Sequence, residues 1–238
     1  MPAAAMPQSI IIDGSDRLLL TSDLLHYDSN YTFMSWIYII SLPAANVYDS
    51  IFSINTNSTS TNYDEFEIKG ASPTRMVIGT DSGGAYTETI GTTALSANTW
   101  YHVAIVRSAN NSRIAYLNGN VEVNHVSNIS GRPNPSRNEI GGFTTSNIDV
   151  INARFSGVKM WSGALTREEI LAEMNWLYPA RWSGLYLCAP LRSGHNDVFD
   201  VSGNGRRLSV SGTLTTADGP ARVGLYPPSM AFRLDRGR

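Results

Sequence analysis

The sequence predicts an all-β protein, a two-sheet antiparallel sandwich with one short helix, on three observations. Over residues 100–106 every position is aromatic, β-branched, alanine or histidine, the mark of a strand covered on both faces. Past a polar break at 108–112, a second run at 113–117 meets Asn118-Gly119 and returns at 121–123. Asn-Gly readily takes the two positive φ angles of a tight hairpin, so residues 98–123 read as a central meander. Charged residues make up only 16% of the chain, so its surface leans on Ser, Thr, Asn and Gly. That composition suits stacked strands and polar loops better than a helical bundle.

The remaining elements follow in chain order. Residues 9–13 and 17–20 read as short strands around the turn Asp13-Gly14-Ser15-Asp16, whose residue types suit a turn. Residues 30–39 alternate Phe33, Ser35, Ile37 and Ile39 against Met34, Trp36 and Tyr38, and Pro43 ends the strand. Strands are expected at 50–54, 63–69, 75–79 and 87–92, separated by the polar loop 55–62, by 70–74 and by the turn Asp81-Ser82-Gly83-Gly84. A long connection at 126–139, rich in Gly, Pro, Asn and Ser, precedes a strand at 153–161.

The one helix is expected near 166–177. Thr166 and Glu169 make a T-x-x-E capping box, Glu168 and Glu169 favour the N-terminal turn, and Ile170, Leu171 and Met174 form one face. Pro179 stops it, and residues 184–191 read as a further apolar strand. Residues 219–238 carry three prolines and local basic charge. They read as an extended arm whose apolar teeth need a surface to cover them.

Composition excludes several function classes. A net charge of −2 gives no global field to recruit nucleic acid, and no apolar run is long enough to span a bilayer. The start M-P-A-A-A-M-P-Q-S has neither a basic region nor a long apolar stretch, so no secretory signal is expected. The single cysteine, Cys188, reads as a buried thiol. The N-x-S/T triplets at Asn30, Asn57, Asn110 and Asn128 then read as polar loop residues, and folding is expected in a reducing cytosol.

Several phrases resemble the laminin G-like, concanavalin A-like jelly rolls. I-D-G-S-D-R-L at 12–18 resembles the family's F-D-G-x-x-D-Y-L, and the segment around Trp36 its F-T-I-S-x-W-V. Residues 100–119 carry W-x-H-V-A and Y-x-N-G, and Ile140-Gly141-Gly142 matches its I-G-G. A-R-F-S-G-V-K-M-W at 153–161 is similar to the closing strand G-x-I-D-D-V-R-I-W, and the helix matches A-L-S-x-x-E-I. D-x-S-G-N-G, which opens many bacterial and phage members, comes late here at 200–205, like a circular permutation. The resemblance covers roughly residues 10–212. It implies a jelly-roll domain over 1–218, followed by the arm at 219–238.

The fold hosts lectins, adhesion modules and glycosidases alike. Glycosidases of this fold carry carboxylates at alternating strand positions, here Glu65 and Glu67, but the expected E-x-D-x-x-E is incomplete. A solvated edge with Phe66 turned inward is the favoured reading. His26, His102, His125 and His195 are scattered, with no H-E-x-x-H or G-x-S-x-G. Calcium, common in the family, has Asp13, Asp16, Asp81, Asp149 and Asp200 available, although each more simply caps its own turn. No cofactor is expected.

Trp36, Trp100 and Trp161 are expected in the core, while Tyr63, Tyr86, Trp176, Trp182 and Tyr226 are better placed for exposure. Tyr63, Tyr86 and Trp182 are the candidate ligand-binding residues. Leu225, Tyr226, Met230, Phe232, Arg233 and Arg236 are the candidate partner-binding residues of the arm. The resemblance, the arm and the absent signal together imply a non-enzymatic binding and assembly module. The expectation is a phage virion protein, made in the host cytoplasm and decorating a capsid or tail. Its expected partners are other virion subunits, reached through the arm in an oligomeric assembly, and a host-surface glycan. A glycan-active enzyme using Glu65 and Glu67 is the alternative.

Overall fold

A computed structural model describes residues 8–26, 29–56, 61–108, 111–127, 133–143, 149–191, 198–221, 223–224 and 226–228. Among these residues fifteen strands form two antiparallel sheets packed face to face, with one helix beside them. The eight-stranded sheet contains β1 (Gln8–Asp13), β3 (Tyr31–Ile39), β8 (Thr99–Ser108), β9 (Ser112–Leu117), β10 (Asn120–Val126), β12 (Asn152–Trp161), β13 (Leu185–Ala189) and β15 (Thr215–Asp218). Its order is β10-β9-β8-β3-β12-β1-β15, with β13 also paired to β12. The seven-stranded sheet contains β2 (Arg17–Leu20), β4 (Tyr48–Asn55), β5 (Tyr63–Lys69), β6 (Arg75–Ser82), β7 (Ala85–Ile90), β11 (Arg137–Ile140) and β14 (Ser209–Ser211). Its order is β14-β2-β11-β4-β5-β6-β7. This is the jelly-roll sandwich expected from the sequence.

Period-two alternation places the core between the sheets. Tyr31, Phe33, Ile37 and Ile39 of β3, Val103 and Ile105 of β8, and Phe155 of β12 face Phe52, Ile54, Phe66, Ile68 and Ile78 of the other sheet. Phe33 stacks on Phe52 with ring centroids 4.4 Å apart and planes within 5°.

A second, smaller core lies on the outer face of the eight-stranded sheet. There Met34, Ala104, Val106 and Trp161 pack against Leu165 and Ile170. The strand at 100–106 is therefore covered on both sides, which explains its unbroken apolar run.

The helix, α1 (Arg167–Glu173), forms that cover. Its capping box is complete: Thr166 accepts from the Glu169 backbone N–H, and Glu169 accepts from the Thr166 backbone N–H. It ends at Glu173, short of the expected 177, because the next carbonyls are drawn to a buried cation. Lys159 Nζ donates to the Glu173 carboxylate and carbonyl, both at 2.8 Å, and to the Trp176 carbonyl at 2.9 Å. The Asn118-Gly119 turn, with φ of 50° and 77°, docks on this helix. Arg167 Nε donates to the Gly119 carbonyl at 2.8 Å, and a side chain at 119 would collide with Leu171.

Two expectations need correction here. Trp161 is fully buried, but Trp36 and Trp100 are only half-buried. All three project from the outer face, the one away from the main core; α1 and its approach cover Trp161, whereas Trp36 Nε1 donates to the Met174 carbonyl at 2.8 Å. The sheets also extend beyond the expected strands, because β14 pairs with β2 and β15 with β1.

The open side of the sandwich is closed by polar contacts. His125 on β10 bridges the hydroxyls of Thr80 and Thr89 at 3.1 and 2.9 Å. Arg113 on β9 makes a bidentate pair with Asp64 on β5, at 2.7 and 3.0 Å. Among the described residues, no helix is long and apolar enough to cross a membrane.

Candidate binding face

The outer face of the seven-stranded sheet collects most of the polar residues singled out by the sequence. Alternation on β5 sends Phe66 and Ile68 into the core and turns Tyr63, Glu65, Glu67 and Lys69 outward. Register sets Glu65 between Ser53 of β4 and Gly79 of β6, and Glu67 between Ser50 and Val77. Tyr86 and Glu88 of β7 and Glu139 of β11 continue the face on either side.

Gly79 makes this arrangement possible. A Cβ there would lie 2.7 Å from the Tyr86 hydroxyl and 2.8 Å from Glu67 Oε1. Without it, the Tyr86 hydroxyl reaches Glu67 at 3.1 Å and Glu88 at 3.2 Å. Glu88 also accepts from the Tyr48 hydroxyl at 3.0 Å and pairs with Lys69 at 2.6 Å. One hydroxyl proton cannot serve two carboxylates at once, and burial holds the Glu67 carboxyl well above the usual carboxylate range.

The expected solvated edge at Glu65 and Glu67 is not what forms. The strand β5 is interior to its sheet, and the two residues are only 4% and 2% exposed. Burial is the main cause that raises both carboxyls. Glu65 is pushed to about 8 by burial and then by Asp149, with the nearby Ser50 hydroxyl pulling the other way and Glu139 adding least. No well-formed hydrogen bond reaches Glu65 Oε1. Asp49 is raised to about 7 by burial and by Asp149. Asp149 overlies this region through its backbone, its carbonyl accepting from the Ser50 N–H at 2.7 Å.

These shifts have a measurable consequence. An acid whose folded pKa exceeds its unfolded value binds more protons in the native state, so its contribution to stability is lost as pH rises. For Glu65 that window runs from the ordinary 4.5 to about 8. The depressed His102, held near 3 by burial and by Lys159, acts in the opposite sense only below its ordinary 6.5. Between pH 6.5 and 8.5 the melting temperature should therefore fall as pH rises. Glu65→Gln should flatten that slope in a pH series of thermal melts, and an unchanged slope would show that Glu65 is not the responsible group.

The structure brings Tyr63 and Tyr86 together, with centroids 6.2 Å apart, and Phe143 packs edge-on against Tyr63 at 4.8 Å. Tyr86 is 41% exposed. Trp182, also exposed, precedes β13 in the other sheet and does not join them. Glu139, Tyr48 and Glu88 belong to the face but escaped the sequence reading. The period-two pair Tyr86/Glu88 was the available signal.

Three of the turn aspartates, Asp16, Asp81 and Asp200, accept hydrogen bonds from backbone N–H groups. Asp200 Oδ1 accepts from the Cys188 and Ser202 N–H groups, and its Oδ2 from the Ser202 hydroxyl and the Arg206 N–H. Asp81 Oδ1 accepts from the Asn62 and Gly84 N–H groups, and Asp16 Oδ1 from Thr213 N–H. Among the described residues, no three His, Cys, Asp or Glu side chains are placed to hold a metal ion.

The start of the arm lies on its own domain. Val223 is buried, and Gly224 exchanges backbone hydrogen bonds with Asn175 and Leu177, both 2.9 Å. Tyr226 stacks on Tyr178 at 4.4 Å. Leu225, Met230, Phe232, Arg233 and Arg236 lie outside the described residues.

No curated protein matches the sequence. Among solved structures, a protein from Bacteroides ovatus described as carbohydrate binding superposes with a TM-score of 0.64 at 15% identity. The match covers 93% of this chain and 62% of that one, so the chain spans somewhat under two thirds of its length. The heptameric SAP-like pentraxin of Limulus polyphemus gives 0.62 at 14% identity, covering 92% and 99%. The CBM40 domain of the Ruminococcus gnavus IT-sialidase, bound to α2,3-sialyllactose, gives 0.53 at 14% identity, covering 69% and 96%. At these identities the likeness is one of fold. The family model described as the concanavalin A-like lectin/glucanases superfamily, of laminin G type, matches residues 13–171. Sheet order, motifs and matched span agree, and the chain belongs to that superfamily.

Proposed function

We propose that this protein is a non-enzymatic glycan-binding module that presents the Tyr63/Tyr86 face to its ligand. The observation that carries the reading is the contrast on that face. The Tyr86 ring is open for stacking, whereas Glu65 and Glu67 are closed off from solvent. A glycosidase needs both carboxyl groups at the scissile bond, and a polysaccharide does not reach groups this buried. The carbohydrate-binding neighbours are in keeping with the reading. A glycan array followed by calorimetry tests it: Tyr86→Ala should weaken the best ligand at least tenfold, and Glu65→Gln should leave its affinity nearly unchanged. Unaltered binding in Tyr86→Ala would refute this face as the site.

The finer proposal is a phage virion protein that decorates a capsid or tail. The late D-x-S-G-N-G and the Pro-rich arm support it. Since Val223, Gly224 and Tyr226 pack on the domain, the proposed contact with another subunit is assigned to 229–238. Removing 229–238 should leave the melting temperature nearly unchanged while lowering the oligomeric state or abolishing incorporation into particles. A large loss of stability would return the arm to the domain's own core. The enzyme alternative keeps one observation in its favour, the raised pKa of Glu65. Turnover on a polysaccharide panel that Glu65→Gln or Glu67→Gln abolishes would replace the binding reading.

A further inference from the structure

One row of side chains crosses the outer face of the eight-stranded sheet, opposite the face just described. By register Thr215 pairs with Ile11, Ile11 with Arg154, Arg154 with Tyr38, and Tyr38 with Trp100. Directly paired residues share a face. At a strand spacing of about 4.8 Å, five strands make a platform roughly 19 Å across. Trp100 and Tyr38 sit side by side with centroids 5.4 Å apart and planes at 57°. The Arg154 guanidinium lies 4.6 Å from the Tyr38 ring centre. These three residues are half-buried and take no part in the second core that α1 covers.

Arg154 is the unusual member. Its Nε is shut from solvent and makes no hydrogen bond. None of the ion pairs among the described residues includes it. Asp13 is the nearest acid by register, opposite Asn152, and its Oδ1 already accepts from the Ser15 hydroxyl at 2.8 Å. A guanidinium lying over an aromatic ring, with no hydrogen bond from it among the described residues, is suited to a planar anion bound through two parallel hydrogen bonds. The adjoining indole offers an apolar face to a ring seated beside that anion.

We propose that this row is a second ligand site and takes an acidic glycan. A pyranose ring would stack on Trp100 while the carboxylate of a uronic-acid-type sugar engages Arg154. The site lies on a different sheet from Tyr63 and Tyr86 and stands apart from the reading of that face. Hexagalacturonate is the probe, followed by calorimetry and by the indole N–H resonance of Trp100.

Binding should shift that resonance and weaken with added salt. It should fall at least tenfold in Arg154→Gln and in Trp100→Ala, and be lost for the fully methyl-esterified hexasaccharide. Should Trp100→Ala fail to fold, Arg154→Gln and the ester carry the test. Binding that Tyr86→Ala abolishes and Arg154→Gln leaves intact would overturn this site while leaving the β5–β7 face standing. Equal binding of acid and ester, or no binding at all, would overturn it outright.

Discussion

Lys159→Ala should lower the free energy of unfolding by about 3–5 kcal/mol, the usual cost of stranding one member of a buried ion pair. Lys159 and Glu173 are both almost completely buried. Beyond the pair itself, the Glu173 carboxylate accepts from the Ala180 and Arg181 N–H groups at 3.1 and 2.6 Å. Lys159 in turn holds the carbonyls of Glu173 and Trp176. The cation thus anchors the stretch that leads from α1 to the backbone clip at Gly224. Its loss leaves a charge without a counterion and takes one donor from each of three acceptors. Denaturant unfolding measures the change, and a loss below about 1 kcal/mol would mean that water replaces the ammonium without penalty. Lys159→Met/Glu173→Gln, which removes both charges, should be less damaging than the single substitution.

Phe52→Ala should cost about 3–5 kcal/mol as well, through the cavity it opens. Its ring is wholly buried and stacks on Phe33 from the opposite sheet, so it is one of the contacts that join the two layers. The same substitution at Trp100 removes a larger side chain yet should cost markedly less, since a partly exposed site leaves no sealed cavity. Comparable losses at both positions would show that the outer face carries as much packing as the inner one.

That contrast marks what the sequence reveals and what it does not. The meander and the helix were legible because their signals are local: Asn118-Gly119 makes the turn, and Thr166 with Glu169 makes the cap. Alternation at Glu65 and Glu67 likewise showed that these residues share a face. Their burial was not legible, because β5 becomes interior only when β4 and β6 pair on either side. The split of Trp36 and Trp100 from Trp161 was hidden for a related reason. All three lie on the outer face, and only the packing of Leu165 and Ile170 over Trp161 buries one and leaves the others half-buried. The row Arg154–Tyr38–Trp100 draws on three strands distant in sequence, and only register reveals it.

The pairing of β1 with β15 also governs how the domain responds to force. Gln8 opposes Asp218 at the end of that ladder, so tension applied between these two residues acts on its outermost bond first. The four paired positions then open in succession, each resisting alone, as a zipper does. Strands loaded in shear would resist together. A molecule tethered through these two points would shed β15 at low load and leave β12, β3 and β8 intact, yielding at its border before its centre is stressed.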